Sequence, residues 1–159
     1  MRLLLFLVVF VDCSAQSTFY KTYGTANDDV VLNLERCSDG GYYIIGRTNT
    51  SVYREDGFIV RTNPTGNILW EKIIQFDSAG VHLTGGGMLS DESVILIFRE
   101  YTPFYEPVTY IMKLNPAGDT LWTKLIGTSD LCCIDDPLIP LSNGEFLLAG
   151  RHMFGMGGP

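Results

Sequence analysis

Ser38-Asp-Gly-Gly-Tyr-Tyr-Ile-Ile-Gly-Arg47 comes back as Ser90-Asp-Glu-Ser-Val-Ile-Leu-Ile-Phe-Arg99 and again as Ser142-Asn-Gly-Glu-Phe-Leu-Leu-Ala-Gly-Arg151, each copy 52 residues after the last. A second motif keeps the same spacing: Asn63-Pro-Thr-Gly-Asn-Ile-Leu-Trp-Glu-Lys-Ile-Ile74 returns as Asn115-Pro-Ala-Gly-Asp-Thr-Leu-Trp-Thr-Lys-Leu-Ile126. A period of this length marks a repeat architecture, in which one unit cannot bury its apolar surface alone and needs neighbours.

Within a unit the apolar pattern breaks at every turn signal and no stretch sustains a helical period, so the unit reads as four β-strands. In the first unit these are 30–37, 42–48, 57–62 and 68–74. The turn at 38–41 has glycines for the positive φ that hairpins need, and Pro64 presets φ in the turn at 63–66. The second unit follows the same order through the turn at 90–92 and strands 94–100, 109–114 and 120–126. Four antiparallel strands in about 50 residues describe one blade of a β-propeller. The predicted fold class is therefore all-β, with residues 26–75 as a first blade, 76–127 as a second and 128–159 as half of a third.

Phe19-Tyr-Lys21-Thr-Tyr-Gly24-Thr25 matches Trp122-Thr-Lys124-Leu-Ile-Gly127-Thr128. Residues 18–25 are thus expected to be an orphan fourth strand, of the kind that closes a propeller ring. About two and a half blades do not close a ring where four to eight are usual. The expectation is an incomplete ring, a fragment of a longer reading frame, whose open sheet edges favour self-association.

A composition of 46% hydrophobic and 12% aromatic residues supplies a core, and the net charge of −7 leaves no clustered Lys and Arg for a phosphate backbone, which excludes nucleic acid as a partner. Arg2, the apolar run 3–11 and Cys13-Ser14-Ala15 read as a signal peptide over residues 1–15, leaving 16–159 as the mature chain. The run is too short to span a bilayer, where about 20 residues are needed, so no transmembrane segment is predicted. The protein is expected to be secreted or held at the cell surface. Export permits disulfides. Cys37 falls at an apolar strand position and reads as a buried small hydrophobe, whereas the adjacent Cys132 and Cys133 lie in a loop where they could pair with each other.

No catalytic residue is nominated, because neither His82 nor His152 accompanies a nucleophile signature such as Gly-x-Ser-x-Gly, and both read as polar loop surface. Gly85-Gly86-Gly87 precedes a strand rather than a helix and reads as a flexible loop, not a phosphate cradle. The turns at 38–41, 63–66, 90–93 and 115–118 are short and alike, while the connections on the opposite rim, 49–56, 76–87, 100–107 and 128–137, are long and dissimilar, which places function on that rim.

The rim carries Tyr53, Arg54, Tyr101, Phe104 and Tyr105, aromatic and basic groups suited to stacking on sugars or holding a protein. Arg47, Arg99 and Arg151 end the second strand of each unit on the same side. As a ring they could bind an anionic ligand; the alternative is a recurring strand-end charge paired with a carboxylate of a neighbouring blade. Asp28, Asp29, Asp77, Asp130, Asp135 and Asp136 are an oxygen-rich set that could hold Ca²⁺, although they lack the spacing of a calcium loop, and no other cofactor is predicted. Trp70 and Trp122 hold equivalent places and read as packing between units.

The combination of residues 39–48 with Asp56-Gly-Phe-Ile-Val-Arg-Thr-Asn-Pro-Thr-Gly-Asn-Ile-Leu-Trp70 resembles the secreted β-propeller repeat proteins abundant in Bacteroidetes. The resemblance implies an exported propeller scaffold, often followed by a C-terminal type IX sorting domain that this sequence does not include. Quinoprotein propellers are the alternative: Thr65-Gly66 stands four residues before Trp70 as in their blade motif, but the second unit has Ala117 there. The expected function is a non-catalytic scaffold that binds a protein or glycan at the cell envelope, with part of a quinoprotein-like or Ca²⁺-dependent enzyme as the alternative.

Overall fold

Runs rich in β-branched and aromatic residues, separated by polar turns, make every regular element among the described residues a strand. The computed structural model describes residues 18–51, 54–75, 80–102, 105–127 and 138–150, without the side chains of 51, 54, 101, 102 and 105–107. The strands are β1 (Asp29–Arg36), β2 (Tyr42–Ser51), β3 (Arg54–Thr62), β4 (Ile68–Ile74), β5 (Gly80–Met88), β6 (Val94–Thr102), β7 (Tyr105–Leu114), β8 (Thr120–Gly127), β9 (Leu138–Pro140) and β10 (Phe146–Leu148). They form two four-stranded antiparallel sheets, β1-β2-β3-β4 and β5-β6-β7-β8, and a two-stranded pair β10-β9. The fold is all-β among the described residues, and these three sheets do not close a ring.

The turn chemistry repeats along with the sequence. Asp39 Oδ1 accepts from Gly41 N at 2.8 Å and Asp91 Oδ1 from Ser93 N at 3.0 Å, while Asn63 Oδ1 accepts from Asn67 N and Asn115 Oδ1 from Asp119 N, both at 2.8 Å. These side chains replace the ladder bonds that a reversing backbone gives up. One turn departs from glycine: Glu92 has φ 59°, where the equivalent residues of the other two copies are Gly40 and Gly144 at 84° and 79°. Its Oε1 accepts from Ser38 N of the first sheet at 2.7 Å, an interaction that glycine could not make.

Two of the predicted rim loops are largely strand. Ser51 pairs with Arg54 and Thr102 with Tyr105, so the connections expected at 49–56 and 100–107 shrink to two residues each, 52–53 and 103–104. The Thr, Tyr and Val residues there suit a pleated ladder better than a loop. The glycine triplet is also a correction, since Gly85, Gly86 and Gly87 pair with Ile97, Leu96 and Ile95 inside β5. A Cβ on Gly86 would lie 2.5 Å from Ile95 O, and one on Gly87 would lie 3.2 Å from Leu138. Close approach of Ile95 backbone and the Leu138 side chain accounts for Gly86 and Gly87, whereas a Cβ on Gly85 would meet nothing within 4 Å.

The core lies between sheets. Tyr43, Ile45 and Ile59 of the first sheet meet Val94, Leu96, Phe98, Met112 and Leu114 of the second, with Val81 and Leu83 of β5 beside them. On the opposite face of the second sheet Ile95, Ile97 and Ile111 meet Trp122, Leu138, Phe146 and Leu148. Ile44, Phe58 and Val60 form a third cluster on the outer face of the first sheet, under Tyr23.

The turn ends of the two large sheets interlock. Trp70 packs on Gly118 and donates from Nε1 to Pro116 O at 3.0 Å, and Lys72 Nζ reaches Gly118 O at 2.9 Å and Thr120 Oγ1 at 3.1 Å. Residues 18–25 repeat this arrangement one unit earlier: Phe19 lies over Gly66, Lys21 Nζ donates to Asn67 Oδ1, and Tyr23 donates to Gly66 O at 2.8 Å. The segment joins no sheet among the described residues. It keeps the side-chain contacts of a fourth strand without a ladder partner alongside.

Gly118 (φ 88°) and Gly40 (φ 84°) separate backbone strain from packing: a Cβ at Gly118 meets the Trp70 indole at 3.1 Å, while at Gly40 it meets Pro64 at an ordinary 3.5 Å. Gly40→Ala is expected to cost about 1 kcal/mol from positive φ alone, and Gly118→Ala about 1 kcal/mol more as the indole is displaced. Urea denaturation of the two variants measures the difference, and equal losses would remove Trp70 from the account.

Candidate functional site

At the end of the strands opposite the interlocked turns, β2, β3 and β5 bring three polar side chains together. Arg47 extends from β2 on the face that carries Tyr43 and Ile45, and Glu55 from β3 on the face that carries Ile59, so both meet His82 of the neighbouring sheet. Glu55 Oε2 contacts His82 Nδ1, Arg47 Nε lies 3.7 Å from Glu55 Oε1, and Arg47 Nη1 lies 2.8 Å from His82 Nε2. A guanidinium can only donate, so this pattern fits a neutral imidazole with its proton on Nδ1, donating to Glu55 while Nε2 accepts from Arg47. His82 is therefore a part-buried link between sheets and not a surface loop residue.

The arginines expected to form a ring are not equivalent. Arg47 is paired with Glu55, a carboxylate of its own unit and not of a neighbouring one. One repeat later the residues corresponding to Glu55 and His82 are Pro107 and Ile134, neither of which can accept a hydrogen bond through its side chain. Arg99 Nε and Nη2 are buried without a hydrogen-bond partner. Arg151 lies outside the described residues.

The other candidates divide in the same way. Arg54, Tyr101 and Tyr105 stand in the hairpin ends of β3, β6 and β7, and Tyr53 and Phe104 lie outside the described residues. Asp29 is occupied locally: its Oδ2 accepts from Thr25 N at 2.6 Å and its Oδ1 from the Thr25 hydroxyl at 3.0 Å. Burial works against its ionisation, but these bonds and one from Thr48 outweigh it and hold the carboxyl below the usual range. Asp28 engages Asn49 N through its backbone carbonyl at 3.0 Å. Asp77, Asp130, Asp135, Asp136, Cys132, Cys133, His152 and the proposed signal peptide fall outside the description. Among the described residues no three His, Cys, Asp or Glu side chains gather as a metal would require, and no helix is long and apolar enough to cross a membrane.

Two features escaped the sequence reading. The Glu55–His82 contact has no repeat counterpart to draw attention to it. The other is an open groove of about 350 Å³ on the outer face of the first sheet, lined by Thr18, Phe19, Tyr23, Leu34, Tyr42, Ile44 and Thr62. Its signal was the apolar character of strands already assigned to a core.

The arrangement defines a repeat of antiparallel four-stranded sheets joined at one end by interlocked turns and bearing hairpins at the other. Comparison with protein-family models and with curated proteins finds no match.

Two checks concern the titratable groups that hold the turns. Asp39 is held below the ordinary aspartate value of 3.8 chiefly by the Gly41 N–H and also by Arg61, and Asp91 chiefly by the Ser93 hydroxyl and also by Lys113. A depressed folded-state value means that this stabilisation is complete above about pH 4 and is lost as pH falls through the folded values. Urea midpoints between pH 7 and pH 2.5 are expected to fall over the acid limb, and Asp39→Asn together with Asp91→Asn to flatten it. Cys37 is 3% exposed, and burial pushes its thiol up, so it is expected to resist alkylation until the protein unfolds. Peptide mapping after brief labelling reads this directly, and prompt labelling of the native protein would contradict the packing.

Proposed function

We propose that the sheets are blades of a β-propeller-type repeat and that the chain is an exported, non-catalytic scaffold binding a protein or glycan through its hairpin rim. The observation that carries this reading is the division of labour between the two ends of the strands. The turn end is consumed by contacts between sheets: Trp70 with Pro116, Lys72 with Gly118, and Ser38 with Glu92. The hairpin end extends β2–β3 and β6–β7 to their tips, with a different sequence in each unit. Sequence variation on a common ladder is how a repeat fold presents a binding surface without altering its packing.

The residues at those tips support a binding role in place of chemistry. Tyr53, Arg54, Tyr101, Phe104 and Tyr105 offer flat apolar area with polar edges, which suits a sugar ring or the centre of a protein interface. The only histidine among the described residues, His82, is engaged with Glu55 and Arg47.

The test is a screen of the mature chain on glycan and envelope-protein arrays, followed by titration of any ligand found. Tyr101→Ala and Tyr105→Ala are each expected to weaken binding about tenfold, the loss typical of an aromatic anchor. Leu69→Ser, on the outer strand β4, is expected to leave it unchanged. Binding indifferent to both tyrosines, or an array without signal, overturns the rim assignment.

A further inference from the structure

The interface between the first two sheets is a template for a contact that neither end of the row has made. In that interface the forward face of one sheet supplies Tyr43 and Ile45, and the rear face of the next supplies Val94, Leu96 and Phe98, all buried. Shifted forward by one repeat, Tyr43 becomes Ile95, which is also fully buried against β9 and β10. Shifted once more, it becomes Leu147, which is 55% exposed. Leu147 stands directly opposite Ile139, itself 48% exposed, so the forward face of the β9–β10 pair carries an unpartnered apolar cross-strand pair.

The other end of the row has the complementary half. The positions of the first sheet that correspond to Val94 and Leu96 are Tyr42 and Ile44, and they line the 350 Å³ groove with Leu34, which is 60% exposed. The outer wall of this groove is Phe19 and Tyr23. These two residues stand where Trp70 and Ile74 stand in the completed interface, and Tyr43 packs against Trp70 there with ring centroids 5.8 Å apart. The groove thus has the part of the template that a fourth strand provides and lacks the part that the inner strands provide.

We propose that this groove receives the β9–β10 pair of a second copy of this chain, with that copy's Ile139 and Leu147 seated between Ile44 and Phe19 as Tyr43 is seated between Leu96 and Trp70. The chain then associates head to tail, face on face. This differs from pairing through open strand edges, and it continues the packing rule that already joins the two large sheets. A contact between two different patches is heterologous, so each copy keeps one free groove and one free forward face, and assembly grows with concentration into a ring or a short linear row. The inference rests on the same unit-to-unit packing as the scaffold reading but not on any ligand at the hairpin rim.

The test uses two variants of the mature chain at side chains more than half exposed, Leu34→Glu in the groove and Leu147→Glu on the forward face, with circular dichroism to verify that each keeps its β-structure. Size-exclusion chromatography with multi-angle light scattering over a wide concentration range is expected to give growing species for the unsubstituted chain and a monomer for each variant alone. Mixing the variants is expected to give a 1:1 dimer and nothing larger, because one retains the groove and the other the forward face. A monomeric unsubstituted chain, assembly that survives either substitution, or a mixture that stays monomeric overturns the proposal. Rim binding that fails while the mixture dimerises counts against the ligand reading alone.

Discussion

The two large sheets are apolar on both faces, and the rest of the structure follows from that constraint. Along β6, Val94, Leu96 and Phe98 enter one core while Ile95 and Ile97 enter the other, and all five are fully buried. A sheet in water can leave one polar face exposed, but a strand without polar alternation has no face to give to solvent. Each such sheet must be an inner layer. At about 25 cal/mol per Å² of buried apolar area, the contact between neighbouring layers is worth far more than a turn or an ion pair, so the units are stable only as a row.

A row held by apolar contact still needs its register fixed, because such contact is not directional. The turns supply this. Trp70 fills the space over Gly118 and ties its indole N–H to Pro116 O, while Lys72 reaches the same turn. Phe19, Lys21 and Tyr23 do the same over Gly66 with different residues and without belonging to a sheet. Inside each unit Arg61 pairs with Asp39 at 2.8 Å, and its counterpart Lys113 with Asp91 at 3.2 Å. The pairs differ in the depth of the cation: Arg61 is 6% exposed and lies 5.0 Å from the centre of the Tyr43 ring. Both tie the turn between the first two strands of a unit to its third strand, β3 or β7.

Most of the strand plan was legible because turn residues punctuate it, and 68–74 matched β4 at both ends. The mistakes share a cause. Gly85, Gly86 and Gly87 read as a loop because propensity describes an isolated strand, whereas β5 is pressed between neighbours, where a side chain at Gly86 would collide with Ile95 O. The hairpins were cut short at Asn49 and Glu100 because polar residues look like a turn, yet cross-strand pairing with Glu55 and Val108 extends the ladder past them. His82 was misplaced because it has no repeat counterpart and its partners lie on two other strands. Of the candidate site, the repeat position of Arg47 and Arg99 was legible, but not what these side chains touch.

The two arginines show how far the hairpin end differs between units that pack alike. Arg47 and Arg99 occupy the same repeat position, but Glu55 and Asp56 beside the first become Pro107 and Val108 beside the second. If this end were needed to hold sheets together, replacing two carboxylates by apolar residues next to a buried guanidinium would carry a large penalty. The second sheet nonetheless keeps the strand order of the first and the same extension of its hairpin. The turn end tolerates little, since Gly66 and Gly118 each lie under an aromatic ring at positive φ. Between these two units the side chains differ most at the hairpin end of the strands, while the turn end keeps its contacts.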